Sequence, residues 1–273
     1  MPRMKNRITE LADDMVPIFA EPEREYCYLS RVQHYRRIEG GARFSVLTND
    51  DQKMTFDVWF VSPYVVRVRC CRPGAEPPTD SPMLVEGALR HESVHVEARE
   101  GRVVIRSDAL ELRVVRRPFH YGVFDLKGKK LFVQQIGDVT DSRLVSPPLG
   151  CSRDSRGRIA FHESFELAPD ERLHSPEHGA SDLRGHRIVS RPGDTRGAGA
   201  ARSSSSFIWS SRGYGVFVHH AREIVYELGC PSSITCSFRV EDAYLDYSIV
   251  FGADAEEIMA RYAGIGDRGA ASR

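Results

Sequence analysis

Seven carboxylates, Glu163, Glu166, Asp170, Glu171, Glu177, Asp182 and Asp194, crowd one short stretch of the chain. Acid–base cleavage of a glycosidic bond needs two such groups. One is held protonated as the acid and the other ionised as base or nucleophile, at a separation set by the mechanism. Spacing along a chain does not certify that separation, so a solvated acidic loop is the simpler reading. Among the ten histidines, His174 and His178 have the i, i+4 spacing of two metal ligands on one helical face. Pro176 lies between them and breaks that helix, and no third ligand stands at a supporting distance, so a surface loop without metal is expected. His219 and His220 end a strand pattern, where at most one is expected to face the core or a cleft.

Other chemistries find less support. There is no GxSxG elbow, and Ser203 to Ser206 lie in low-complexity surroundings that position no base. The glycines at Gly193, Gly197 and Gly199 fit neither GxGxxG nor a phosphate-cradling loop, and no cofactor is implied. The 38 basic and 38 acidic residues balance, which removes the net field that would draw the chain onto nucleic acid. The first twenty residues scatter charge, and no later apolar run approaches a membrane span. The six cysteines (Cys27, Cys70, Cys71, Cys151, Cys230, Cys236) contain no CxxC pair and read as reduced thiols, with Cys70 and Cys71 on opposite faces of one strand. A cytoplasmic protein is the expectation.

The elements that would position such residues are almost all strands. Met54, Phe56, Val58 and Phe60 alternate with polar residues over 53–61, with Trp59 the large residue facing the other way. The pattern resumes at Tyr64, Val66, Val68 and Cys70 after Ser62 and Pro63, predicting a hairpin. Further strands are predicted at 103–106, 109–116, 120–125, 130–134, 159–167, 213–220, 223–228, 234–240 and 244–251. In the last, Leu245, Tyr247, Ile249 and Phe251 face one way, while Asp246 and Ser248 face the other. So many strands at short spacing predict a mainly β protein, an antiparallel β-sandwich. A short C-terminal helix is expected at 254–263, capped by Asp254, with Glu257 at the capping-box position, Ile258 and Tyr262 on one face and Gly264 as the stop. The run 190–206 lacks large apolar residues and is expected to be a mobile loop.

The segments SFELAPDER (164–172), LRGHRIVS (183–190), SSRGYGVFVHH (210–220), YLDYSIVFG (244–252) and EEIMARY (256–262) resemble, in order and spacing, glycoside hydrolase family 31, which includes α-glucosidases and α-xylosidases. The resemblance implies that residues 25–252 form that family's N-terminal, galactose-mutarotase-like sandwich. Residues 1–24 would then be an extension, and 253–273 a helix and truncated linker toward a (β/α)8 catalytic barrel in the same or a split chain. In that family both catalytic aspartates lie on the barrel, and no WxDMNE-like motif occurs here, so no catalytic residue carries over.

Departures from the family pattern concentrate where substrate would lie. ERLHSPEH (171–178) stands where ERxYGLGE is usual, and RPGD (191–194) where WNxD is usual, so only Asp194 matches that loop. The implied role is to support or shape a carbohydrate site for an α-glucoside or α-xyloside, with Asp194, Trp209 and Tyr214 nearest the sugar. Two alternatives come from other classes. One is a stand-alone carbohydrate-binding module stacking sugars on Trp59, Trp209 or Tyr214. The other is an aldose-epimerase-like enzyme using His186 and Glu163.

Overall fold

Alternation of apolar and polar side chains sets most of the strands in the computed structural model, which describes residues 16–17, 23–75, 77, 83–85, 91–135, 143–144, 146–192, 202–203 and 205–266. The first group comprises β1 (Val16–Pro17), β2 (Glu25–Ile38), β3 (Gly41–Thr48), β4 (Lys53–Ser62) and β5 (Val65–Cys71). A five-stranded meander follows: β6 (His95–Arg99), β7 (Arg102–Arg106), β8 (Leu110–Arg116), β9 (Phe119–Asp125) and β10 (Lys130–Val133). The remainder is β11 (Arg143–Leu144), β12 (Gly150–Arg153), β13 (Ile159–Glu166), β14 (Leu173–His174), β15 (His186–Ser190), β16 (Arg202–Ser203), β17 (Phe207–Ser210), β18 (Tyr214–Val218), β19 (Ile224–Leu228), β20 (Thr235–Val240), β21 (Tyr244–Phe251) and the helix α1 (Ala255–Ile265).

The strand β2 joins the two halves of the sandwich. Its first residues, Glu25 to Tyr28, pair with β12, and from Leu29 onward it pairs with β3. On one side the ladder runs β2-β3-β4-β5-β21-β18-β17-β14, and on the other β2-β12-β13-β20-β19-β15-β16. The meander packs its β8 and β9 against β2 and its β10 against β13. One apolar core then draws on both halves and the meander, with Phe44, Phe56, Tyr121, Phe161, Phe165 and Phe238 among its members. Apart from the two-residue pairs β1/β11 and β15/β16, the described pairings are antiparallel.

Two segments depart from the patterns read in sequence. The strand β2 shows no clean alternation because its register to β3 shifts twice, between Leu29 and Arg31 and between Val32 and His34. Each bulge exchanges the faces of all following side chains. Part of the expected mobile loop, Arg202–Ser203, forms β16 and pairs in parallel with Val189 and Ser190, since backbone hydrogen bonding needs no large apolar side chain. Within the same run, 193–201 and 204, Asp194 included, lie outside the described residues.

The sheet around β5 and β21 is buried on both faces. Its outer face carries a second apolar cluster, in which Trp59, Val61, Phe217 and Val250 meet Ile258 and Ile265 of α1. Tyr262 of α1 stacks flat on Phe207, ring centroids 4.0 Å apart, and edge-on to Phe217. Asp254 caps the helix by accepting the Glu257 backbone N–H, while the Glu257 carboxylate accepts the N–H of Ala253. The helix runs past the expected stop: Gly264 lies within its last turn, and Gly266 provides the C-cap through its N–H to the Tyr262 carbonyl.

Beside this cluster the outer face holds charge. Arg67 is 1% exposed and donates from Nε and Nη2 to the two carboxylate oxygens of Asp246, at 2.7 and 2.6 Å. Arg69 donates to the same Asp246, at 2.7 Å, and the indole of Trp59 lies 5.1 Å from the Arg67 guanidinium carbon and 5.5 Å from that of Arg69. The ring of His219 stands 3.2 Å from Asp246, and that of His220, on the opposite face of the chain, 3.4 Å from Asp242. Both histidines are 2% exposed, so the expectation that only one faces inward is corrected; the sheet has no solvent face here. Burial alone would raise the Asp246 carboxyl, but the hydrogen bonds from His219 and Arg67 outweigh it and hold the group well below the usual carboxylate range.

Removing one partner of a buried ion pair strands the other. Asp246→Asn is expected to destabilise the fold by about 3–5 kcal/mol, because Arg67 stays buried without its counter-charge. Asp51→Asn, at the exposed Arg31–Asp51 pair, is expected to cost less than about 1 kcal/mol. Urea unfolding of the two variants checks this, and equal costs would remove the special standing of the buried pair.

Candidate functional site

The segment 164–172 leaves β13 at Glu166 and turns, with the Glu171 N–H donating to the Ala168 carbonyl and the Ala168 N–H donating 2.8 Å to the Glu171 carboxylate. The turn brings Glu171 against the hairpin of β17 and β18. There Ser210 Oγ and the Tyr214 hydroxyl, which face each other in register, both donate to Glu171 Oε1 at 2.5 Å. Gly213 closes the hairpin at φ +90, and a Cβ there would stand 2.7 Å from the Gly252 carbonyl oxygen, so the turn tolerates no side chain. These contacts join the SFELAPDER and SSRGYG segments.

A cleft of about 540 Å³ opens beside this joint. Lys130, Glu166 and Arg212 rim it, and Phe132, Leu167 and Tyr214 form its floor. Three of its charged groups are in ion pairs: Lys130 pairs with Glu166, and Arg212 with Asp170. Tyr214 is 4% exposed, its ring set edge-on to Phe132 and Phe165, so it supports the floor instead of presenting a face. Burial, with the nearby Glu171 charge, pushes its hydroxyl well above the ordinary tyrosine range.

Five of the seven carboxylates thus resolve into separate structural tasks. Glu166 and Asp170 sit in surface ion pairs and Glu171 holds the hairpin. Asp182 accepts the N–H groups of Leu173 and Arg184, both at 3.0 Å. Glu163 lies in the core, where Oε2 accepts from the hydroxyls of Tyr121 (3.0 Å) and Tyr247 (2.8 Å) and Oε1 from the Ser164 N–H (2.9 Å). Tyr121 and Tyr247 also touch each other through their hydroxyls. Burial pushes the Glu163 carboxyl up to about 7, against the opposing pull of these donors.

Of the aromatic residues singled out in sequence, Tyr214 lies in the main core, whereas Trp59 and Trp209 belong to the outer cluster. Trp209 pairs with Gly215 and Ser210 with Tyr214, so Trp209 and Tyr214 project from opposite faces of the same hairpin. Trp209 is half-buried near α1, its ring tilted against His174 at 5.5 Å and stacked with Phe207 at 6.2 Å. Trp59 is buried under Arg67 and Arg69. The epimerase-type pair fails on geometry. His186 is exposed at the start of β15, across β19 and β20 from β13, whereas Glu163 is wholly buried. With strands about 4.8 Å apart, three spacings put them roughly 14 Å from each other, beyond any shared proton. The expected loop holds for His178, which lies in a turn, but His174 ends β14 and pairs with Trp209: His178 Nδ1 is 2.7 Å from Ser175 Oγ and His174 Nδ1 is 2.9 Å from the Ser181 carbonyl. No group of three His, Cys, Asp or Glu among the described residues is placed to hold a metal ion, and no described helix is long and apolar enough to cross a membrane.

This architecture is one that glycoside hydrolases carry. It superposes with a TM-score of 0.71 on a cycloalternan-forming enzyme from Listeria monocytogenes, solved with a pentasaccharide substrate, at 17% identity over 88% of this chain and 22% of that one. A family 31 dextranase from Flavobacterium johnsoniae, solved with isomaltotriose, gives 0.70 at 21% identity over 88% and 28%. In sequence, 105 residues are 25% identical to the α-xylosidase XylQ of Lactiplantibacillus pentosus, 37% of this chain and 14% of that enzyme. No family model matches. The resemblance to glycoside hydrolase family 31 drawn from the motifs therefore holds in both fold and sequence, over part of a domain set. The chain spans less than a third of the length of each of these three enzymes.

Two measurements test the site's internal chemistry. Tyr214→Phe removes one of the donors on Glu171 and is expected to cost about 1–3 kcal/mol in equilibrium unfolding, with no cavity to account for it. A neutral result would mean that Ser210 and Ala168 suffice. For Glu163 the raised folded value means that ionisation opposes folding. Its contribution is complete below the unfolded value of 4.5 and is lost as pH rises through about 7. The stability of the parent protein relative to Glu163→Gln is therefore expected to fall by roughly 3 kcal/mol across that window. A pH-independent difference would show the carboxyl ionising as freely in the fold as outside it.

Proposed function

We propose that residues 25–252 are the N-terminal sandwich domain of a family 31-like α-glycosidase of the α-xylosidase or α-glucosidase type, with 253–273 leading toward a (β/α)8 barrel in the same or a split chain. The domain supports and shapes a carbohydrate site without performing the cleavage. The observation that carries this reading is the joint of Glu171, Ser210 and Tyr214, which ties together two of the family-like segments and engages Glu171 as a structural acceptor. The match to an α-xylosidase supports the choice of substrate type. Asp194 would approach the sugar from its loop. Free thiols at all six cysteines support a cytoplasmic site of action.

The purified chain is expected to release no nitrophenol from p-nitrophenyl α-xyloside or α-glucoside. Turnover abolished by Glu166→Gln or Glu171→Gln would overturn the non-catalytic reading. Heat on titration with xylo- or gluco-oligosaccharides, lost in Trp209→Ala, would favour a binding module instead.

A further inference from the structure

We propose that Cys27 and Cys151 are a peroxide-responsive dithiol that closes to a disulfide between the two halves of the sandwich. The two residues are direct partners in the antiparallel pairing of β2 with β12. Opposed positions in such a ladder have Cα atoms about 4.5 or 5.5 Å apart, inside the roughly 4.4–6.8 Å that a disulfide spans, so closure requires no movement of the backbone pairing. A hollow of about 200 Å³ lined by Cys27, Cys151, Asp50, Gln52 and Arg72 opens onto them, admitting a small oxidant.

The two thiols are not equivalent. A hydrogen bond between them lowers the Cys151 thiol, with Arg72 favouring its thiolate further, and raises Cys27 well above the usual thiol range. Cys151 is the group that meets the oxidant. Its thiolate attacks one oxygen of hydrogen peroxide, the O–O bond breaks, hydroxide leaves with the electron pair, and a sulfenic acid remains. Cys27 sulfur then attacks the Cys151 sulfur; the S–S bond forms, the S–O bond breaks, and the departing hydroxide and the Cys27 proton leave as water. Overall two thiols are oxidised and one peroxide is reduced to two waters. Among the other cysteines, Cys70 and Cys236 are fully buried, and Cys70 and Cys71 face opposite ways on β5.

The test uses the full 273-residue chain treated with hydrogen peroxide and then alkylated in denaturant. Free thiols are expected to fall from six to four, a non-reducing digest to show the Cys27 peptide joined to the Cys151 peptide, and dithiothreitol to restore all six. Cys27→Ser is expected to leave Cys151 as a sulfenic acid captured by dimedone, and Cys151→Ser to leave Cys27 a thiol under the same dose. Retention of six thiols in the parent chain, or a cross-link through any other cysteine, overturns the proposal without reference to either variant.

Discussion

The ion pair between Arg67 and Asp246 is the constraint on which the rest of the architecture depends. It sits between β5 and β21, in a sheet covered by the main core on one side and by α1 and its apolar cluster on the other. Charge in such a layer is tolerable only when each group finds its counterpart. A one-residue slip of β21 against β5 would carry Asp246 into the apolar core and expose the row of Leu245, Tyr247 and Ile249 to the charged face. The pair therefore fixes register as well as neutralising charge. Arg69, Trp59 and His219 are arranged around that requirement.

Much of this was legible in the residues. The strands β4 and β21 alternate cleanly, and the phase assigned to Met54, Phe56, Val58, Leu245 and Tyr247 is the phase that faces the core. What alternation hides is whether the opposite face is wet. Asp246 and Ser248 read as solvent-facing by type, yet both are buried, because the helix that directly follows β21 folds over that side. The strand β2 was invisible for a different reason: two bulges reset its phase, so no window of fixed period contains it. The Gly264 stop was misplaced by two residues, since glycine inside a last turn costs only about 1 kcal/mol when Gly266 supplies the cap.

The candidate site shows the same division. The density of carboxylates was plain in sequence, but their tasks were not. Whether Glu171 ends as a base or as a hairpin anchor depends on where the backbone turns at Ala168 and on the register that sets Ser210 opposite Tyr214. Likewise, Trp209 and Tyr214 look like companions in a list of aromatics, yet a tight hairpin places them on opposite faces. The fold is recognisably that of carbohydrate-active enzymes, while the chemistry of such enzymes rests on particular placed groups. Here Glu163, Glu171 and Asp182 hydrogen-bond to neighbouring segments of the scaffold.

The switch of β2 from β12 to β3 has a kinetic side. Its first residues wait for a partner more than a hundred positions away, and β5 waits for β21 from the far end of the chain. The hairpins of β3 to β5 and the meander of β6 to β10 can form from near neighbours, but the second sheet half waits for β20 and the charged layer for β21. Such distant pairing raises the entropic barrier to closure and slows folding. The stretch from β3 to β10 therefore emerges first with one sheet edge open. During synthesis that edge is the surface most in need of protection from other chains.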